Sequence, residues 1–192
     1  GFDDVLPVFK RSEHYEGGEG PFHGTGGKLN IADLRFTHPV SSAFIKAGVE
    51  AGHPATDDFN NDVQEGVGMY KVNQKDGERC GVSKAYLHPV MDRPNLTVLT
   101  SALVNRILFE GKRAIGVEVE HNGQIRTLKA DNEVILSGGA INSPQVLKLS
   151  GVGPAAELAE HNIPLVHELP GVGENLQDHP DALVVHKSLR KD

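Results

Sequence analysis

The sequence predicts an α+β fold, a mainly antiparallel sheet with helices packed on it plus a β-meander. Three observations carry this. The stretch "LTVLTSALVNRILFEGKRAIGVEVEHNGQIRTLKADNEVILSGG" is rich in β-branched residues and is broken at Glu110-Gly111 and Asn122-Gly123. Asn-Gly between alternating apolar runs is a strong hairpin signal. Short apolar stretches bounded by Asp, Ser, Gly or Pro flank this region on both sides, as capped helices do.

Taken in order, Asp3 to Glu13 reads as a helix. Asp3 or Asp4 can cap it, Val5, Leu6, Val8 and Phe9 supply apolar positions, and Lys10 and Arg11 fall near its C-terminal end. Residues 16–28 form a glycine-rich loop. Pro39 to Ala51 is a second helix, with Ser41 or Ser42 near its start and Gly52 beyond its end. "VGMYKVNQ" is strand-like, and "VSKAYLHPV" is a short helix stopped by Pro89. The meander follows, about Leu96 to Leu136, with Val117, Val119, Ile125 and Leu128 able to share a buried face. Its last strand is Glu133 to Leu136. Ser143 and Pro144 then open a helix in the N-cap and N1 positions, running to Leu149. Gly151 stops it. A helix at 155–161, the strand "IPLVHEL", the loop "PGVGENLQDHP" and a strand around Leu183 to His186 complete the reading.

Composition narrows the function. The chain has 192 residues, 38% hydrophobic and 23% charged, which suits a soluble globular protein of one domain or parts of two. Its formal charge is −7 and it has no basic block, so nucleic acid is not an expected partner. No run reaches membrane-spanning length. Cys80 is the sole cysteine, which excludes an internal disulfide and points to a reducing, cytoplasmic compartment. Asn95-Leu96-Thr97 matches a glycosylation sequon and is read as a chance match.

Among chemical motifs, Gly151-Val152-Gly153-Pro154-Ala155-Ala156 fits a permissive GxGxxA. It follows a helix, whereas a dinucleotide loop must follow a strand and open a helix. Gly138-Gly139 does follow a predicted strand and precede a helix. A phosphate can approach a helix start, and a plain turn with a capped helix fits equally well. The ten histidines show no metal-ligand spacing, and no GxSxG nucleophile is present. "NLQDHPD" is the densest polar cluster. It either places Asp178 and His179 in a cleft or forms an Asx-turn fixed by Pro180.

These residues are similar to a known family. "GGAINSPQVLKLSGVGP" resembles the second signature of the glucose-methanol-choline (GMC) family of FAD-dependent oxidoreductases. "FDDVLPVFKRSE", "GVSKAYLHPVMDRPNLTVLTSALVNRILFEGKRAIGVEVE" and "LPGVGENLQDHPD" resemble further family segments in the same order, above all those of choline- and alcohol-dehydrogenase-like members. The resemblance implies that this chain is the central part of a longer enzyme. Residues 1–94 would belong mainly to the substrate-binding region. Residues 95–153 would be a β-rich segment adjoining a split FAD domain, and 154–192 would return to the substrate-binding region. The parent would oxidise an alcohol to an aldehyde by hydride transfer to flavin. Its electron acceptor is not specified, and membrane association of the parent is left open. The family's GxGxxG loop and the C-terminal segment with the catalytic histidine have no counterpart here. The expectation is therefore no catalytic residue in this chain, no activity by itself and no retained FAD.

By the same resemblance, Val104 would offer backbone bonds near the adenine, and Gly138 and Gly139 would face FAD. Asn175 and His179 would lie near the isoalloxazine and substrate. Asp181 matches a position where choline-acting members carry Glu. A carboxylate there can face a quaternary ammonium, or Asp181 can be an exposed loop residue. The reading leans to an uncharged alcohol over choline. Two alternatives stay open: a non-catalytic substrate-binding or structural module, and a nucleotide-binding α/β domain without flavin.

Overall fold

The computed structural model describes residues 1–185 and 187, and the chain divides into two units, Gly1–Val98 and Leu99–Asp192. Each is mixed helix and sheet.

The first unit opens with α1 (Phe2–Ser12), which leads directly into β1 (Glu13–Tyr15). Asp3 and Asp4 lie in the first turn of α1, and Lys10 and Arg11 in the last, each suited to the helix dipole there. β1 pairs in parallel with β2 (Leu29–Ile31) across the glycine-rich loop. Buried Asn30 fixes this region, its amide donating to Glu16 Oε1 at 2.7 Å and to the Gln74 carbonyl at 2.6 Å. α2 (Pro39–Glu50) starts with proline in its first turn, where a missing N–H costs nothing. Neither α1 nor α2 buries a residue; Phe9 and Phe44 are exposed. Of the strand predicted over 67–74 there remain two isolated bridges, Val67 with Ala55 and Val72 with Ala32, and its last residue, Gln74, which opens the next strand. A two-residue hairpin follows, β3 (Gln74–Lys75) with β4 (Glu78–Arg79). Ser83–Leu87 is a wide helical turn, and Pro89 sits inside the tight turn His88–Val90 that continues it.

The second unit is built on the meander. β5 (Ala102–Glu110), β6 (Arg113–His121) and β7 (Gln124–Lys129) form one antiparallel sheet in that order. Asn122 and Gly123 both have positive φ, 54° and 72°, as a two-residue hairpin of matching twist requires. Val117 and Val119 share a face with Leu128, which pairs with Val117 but is itself exposed at the sheet's edge strand. Ile125 does not: it pairs with Glu120 on the opposite face and is exposed. Positions 125 and 128 differ by an odd number, and side chains in a strand alternate.

Three further expectations need correction. Residues 133–138 belong to no strand, because among the described residues nothing pairs with them, and apolarity alone does not supply a ladder partner. The following helix, α3 (Gly139–Leu149), begins at Gly139 with Gly138 as its N-cap, so Ser143 and Pro144 lie inside it. Pro144 still falls near the helix start and removes one hydrogen bond, to the Ala140 carbonyl. The mainly antiparallel sheet is found in part: the meander and the β3–β4 hairpin are antiparallel, while two short pairs are parallel. β8 (Val152–Gly153) pairs in parallel with β9 (His167–Glu168), the only strand residues within "IPLVHEL". The predicted last strand fails over 183–185, and its end at His186 lies outside the described residues.

α3 is locked to the sheet by its C-terminal end. Ser150, buried, caps it: Oγ donates to the Val146 carbonyl and accepts the Ile107 N–H of β5 at 2.8 Å. Gly151 follows with φ +84°, and a Cβ there would lie 2.3 Å from the Pro164 carbonyl oxygen. Only glycine meets both demands. α4 (Ala155–Glu160) then buries Leu158 at 1% exposure.

Candidate functional site

α3 is flanked by clefts. One, about 770 Å³, has three walls: the start of β5 at Ala102–Asn105, the segment 135–138, and one face of α3. That volume is in the range of small-molecule sites. Val104 and Gly138, predicted from separate parts of the sequence, line this same groove. Gly139 stands next to Gly138, with φ +85°, and among the described residues nothing beyond its chain neighbours and its own helix backbone lies within 4 Å of where a Cβ would be. The groove's polar groups are uncharged: Asn105, Ser137, Asn142 and Gln145. Ser101, immediately before β5, also has positive φ, 53°, a costly backbone state for serine.

A second cleft, about 360 Å³, lies between another face of α3 and the loop 172–177. Asn175 lines it, again with positive φ, 56°. Ser143 and Pro144 form part of the opposite wall. Asn175 therefore shares α3 with Val104 and Gly138 but not their groove. A third cleft, about 620 Å³, is bordered by Lys148 and Glu157, whose carboxylate accepts from Lys148 Nζ at 2.7 and 2.8 Å.

His179 and Asp181 are exposed and line none of these clefts. The Asp178 carboxylate accepts the His179 backbone N–H at 2.8 Å, a local bond of the turn-forming kind. The polar loop is thus divided: Asn175 faces a cleft, while residues 178–181 line none of the three.

The first unit holds a cluster that sequence reading missed. His23 lies between two acids, Nδ1 3.1 Å from Glu13 Oε1 and Nε2 3.1 Å from Asp58 Oδ2. Its ring stacks on Tyr15 at 4.3 Å. Nearby, Lys71 donates to Asp33 at 2.6 Å, and this bond holds the Lys71 ammonium above the ordinary lysine range. The partners of His23 come from two separated segments, β1 and the region of Asp58, so no local motif announces them. Among the described residues no His, Cys, Asp and Glu group is arranged to hold a metal ion, and no helix is long and apolar enough to cross a membrane.

Comparison with known proteins settles the family. The family model for GMC oxidoreductases matches residues 1–181. The chain belongs to the GMC oxidoreductase family. It is 47% identical over 184 residues to an alcohol dehydrogenase (acceptor) of Pseudomonas putida, covering 94% of this chain and 33% of that protein. It is also 47% identical over 179 residues to the mitochondrial choline dehydrogenase of Mus musculus, covering 93% of this chain and 30% of that protein. Among solved structures it resembles a pyridoxine 4-oxidase, with TM-score 0.80 and 32% identity over 88% of this chain and 34% of that one. An FAD-dependent oxidoreductase from Chaetomium thermophilum gives TM-score 0.82 at 29% identity, over 88% of this chain and 32% of that one. This GMC chain spans about a third of the length of the relatives it matches.

Does the site suit the family's flavin? The α3 groove fits on two counts. Its walls are apolar with uncharged hydrogen-bonding groups, and the backbone at Gly139 is open where a cofactor would need close approach.

Proposed function

We propose that this chain is the central part of an FAD-dependent oxidoreductase that converts an alcohol to an aldehyde. The observation that carries the reading is the α3 groove, where Val104 and Gly138 meet beside the open backbone of Gly139. Residues 1–94 and 154–192 serve the substrate-binding region, and 95–153 adjoin the FAD domain. Val104 and the Gly138-Gly139 backbone hold the cofactor, with Asn175 and His179 toward its reactive end. When bound, FAD accepts the hydride that leaves the alcohol carbon. This chain's residues bind and orient, and the base that takes the hydroxyl proton is supplied from outside it. The chain alone is inactive and colourless.

The preferred substrate is an uncharged aliphatic or aromatic alcohol. A second reading, choline, is favoured by the 44–47% identity to choline dehydrogenases. Asp181 separates the two. The test assays the full-length protein with choline and with a series of primary alcohols, then repeats the series with Asp181→Asn. Neutral alcohols as best substrates, unaffected by the substitution, are expected. Choline as best substrate with a large loss in the Asn variant would overturn that choice. A purified full-length protein without flavin absorbance would overturn the flavin reading itself.

A further inference from the structure

Resting on the proposed function above, we infer that Lys148 is a positioning residue: clamped by Glu157, it seats the loop 172–177 on α3 and so sets where Asn175 stands. Two triplets that fit no motif meet at this lysine, Gly151-Val152-Gly153 and Gly171-Val172-Gly173. Its side chain runs against the last glycine of each. A Cβ on Gly153 would lie 3.1 Å from Lys148 Cγ, and one on Gly173 would lie 3.0 Å from Nζ and 3.3 Å from Cε. Either carbon would press on the lysine, so glycine at both places lets the backbone come down onto it. Pro144, one turn earlier on the same face of α3, completes the seat, its Cβ 3.7 Å from that same point on Gly173.

The ammonium is fixed from α4. It donates to both carboxylate oxygens of Glu157, at 2.7 and 2.8 Å, with the Lys148 side chain 24% exposed. A long side chain held at its tip samples few rotamers, so the loop rests on a floor of constant height. The loop needs one, because its backbone bonds lie upstream of Asn175. Leu169 N–H donates to the Gly153 carbonyl at 3.0 Å. Val172 N–H donates to the Leu169 carbonyl and Glu174 N–H to the Gly171 carbonyl, each at 3.2 Å. Among the described residues, Asn175, Leu176 and Gln177 make no backbone hydrogen bond. Asn175 therefore takes its place from the turn before it, which sits on Lys148, and it faces Ser143 and Pro144 across the 360 Å³ cleft.

The test uses the full-length protein with Lys148→Met, Glu157→Gln and Asn175→Ala. The first readout is hydrogen exchange of the protein stripped of flavin, on the peptide covering 171–177, where the Val172 and Glu174 amides are bonded. It should be about two- to fivefold faster in Lys148→Met and in Glu157→Gln, the range that losing a partly exposed ion pair gives. Peptides from the rest of α3 and from β5 should not change. The second readout is kcat by dye reduction, with the best substrate among choline and the primary alcohols. Lys148→Met should lower kcat while the Kd for FAD stays within about twofold. With Asn175→Ala already present, Lys148→Met should lower kcat no further, because the lysine acts through Asn175. Circular dichroism confirms folding, and Glu157→Gln, which keeps size and shape, stands in for a methionine variant that fails to fold. Unchanged exchange over 171–177 in folded variants overturns the inference. So does a loss of kcat that is as large without Asn175 as with it. A full-length protein that binds no flavin overturns the flavin reading and the role of Asn175 with it, while the exchange readout still decides the clamp.

Discussion

Substituting Gly139 by alanine and by valine separates two reasons for a glycine there. One is conformational: φ is +85°, where an L-residue with a Cβ costs about 1–2 kcal/mol. The other is space, and among the described residues space is not limiting, since nothing beyond the chain neighbours and the helix's own backbone lies within 4 Å of the Cβ position. In the absence of cofactor, then, the expected loss for alanine is the conformational cost alone. With a urea dependence of about 2 kcal/mol per molar, this moves the unfolding midpoint down by roughly 0.5–1 M. Valine, branched at Cβ, loses somewhat more. With cofactor the two variants should diverge. Valine fills the open space that FAD would approach, so flavin content of the full-length protein should fall further for Gly139→Val than for Gly139→Ala. The assays are urea titration followed by circular dichroism, and flavin released per mole of protein. Unchanged flavin content in a normally folded valine variant would refute the cofactor argument and leave the glycine to the turn. An unchanged urea midpoint for alanine would refute the conformational one.

Two further outcomes follow from the second unit. Ser150→Ala leaves the buried Ile107 N–H without its acceptor and should cost about 1–3 kcal/mol, measured by chemical denaturation. The Arg106–Glu118 pair across β5 and β6, 2.8 Å apart, holds the Glu118 carboxyl below its ordinary range, chiefly through their hydrogen bond. Its stabilising effect is complete above the ordinary carboxylate pKa of about 4.3 and is lost as pH falls through the lowered value. Melting temperature against pH should therefore show a shallower acid-side decline for Arg106→Gln than for the unchanged chain, and identical slopes would discount the pair.

What could be read in advance was whatever short-range chemistry decides. Asn122-Gly123 announced its hairpin because both residues tolerate positive φ, and Ser150-Gly151 announced a helix end for the same kind of reason. Errors arose where the decision is non-local. Residues 133–136 have strand-like composition, but a ladder needs a partner. Ser143-Pro144 is a sound start signal, yet Gly138 and Gly139 begin the helix a turn earlier. Ile125 falls on the other face by parity, and Leu128 stays exposed because β7 is an edge strand. No pattern in the residues places Val104 and Gly138 in one groove, since they lie far apart in the sequence. His23 with Glu13 and Asp58 left no sequence signal at all, because each is an ordinary polar residue until the chain brings them within 3.1 Å.

The three walls of the α3 groove come from one continuous run of chain, between Ala102 and Leu149. The contacts that shape them are two hairpins closed by two-residue turns, and a helix that folds back on the first strand through Ser150 and Ile107. Loops this short cost little entropy to close, and local topology speeds folding. The groove can therefore take shape early, as soon as this run has left the ribosome, without waiting for the residues that follow it.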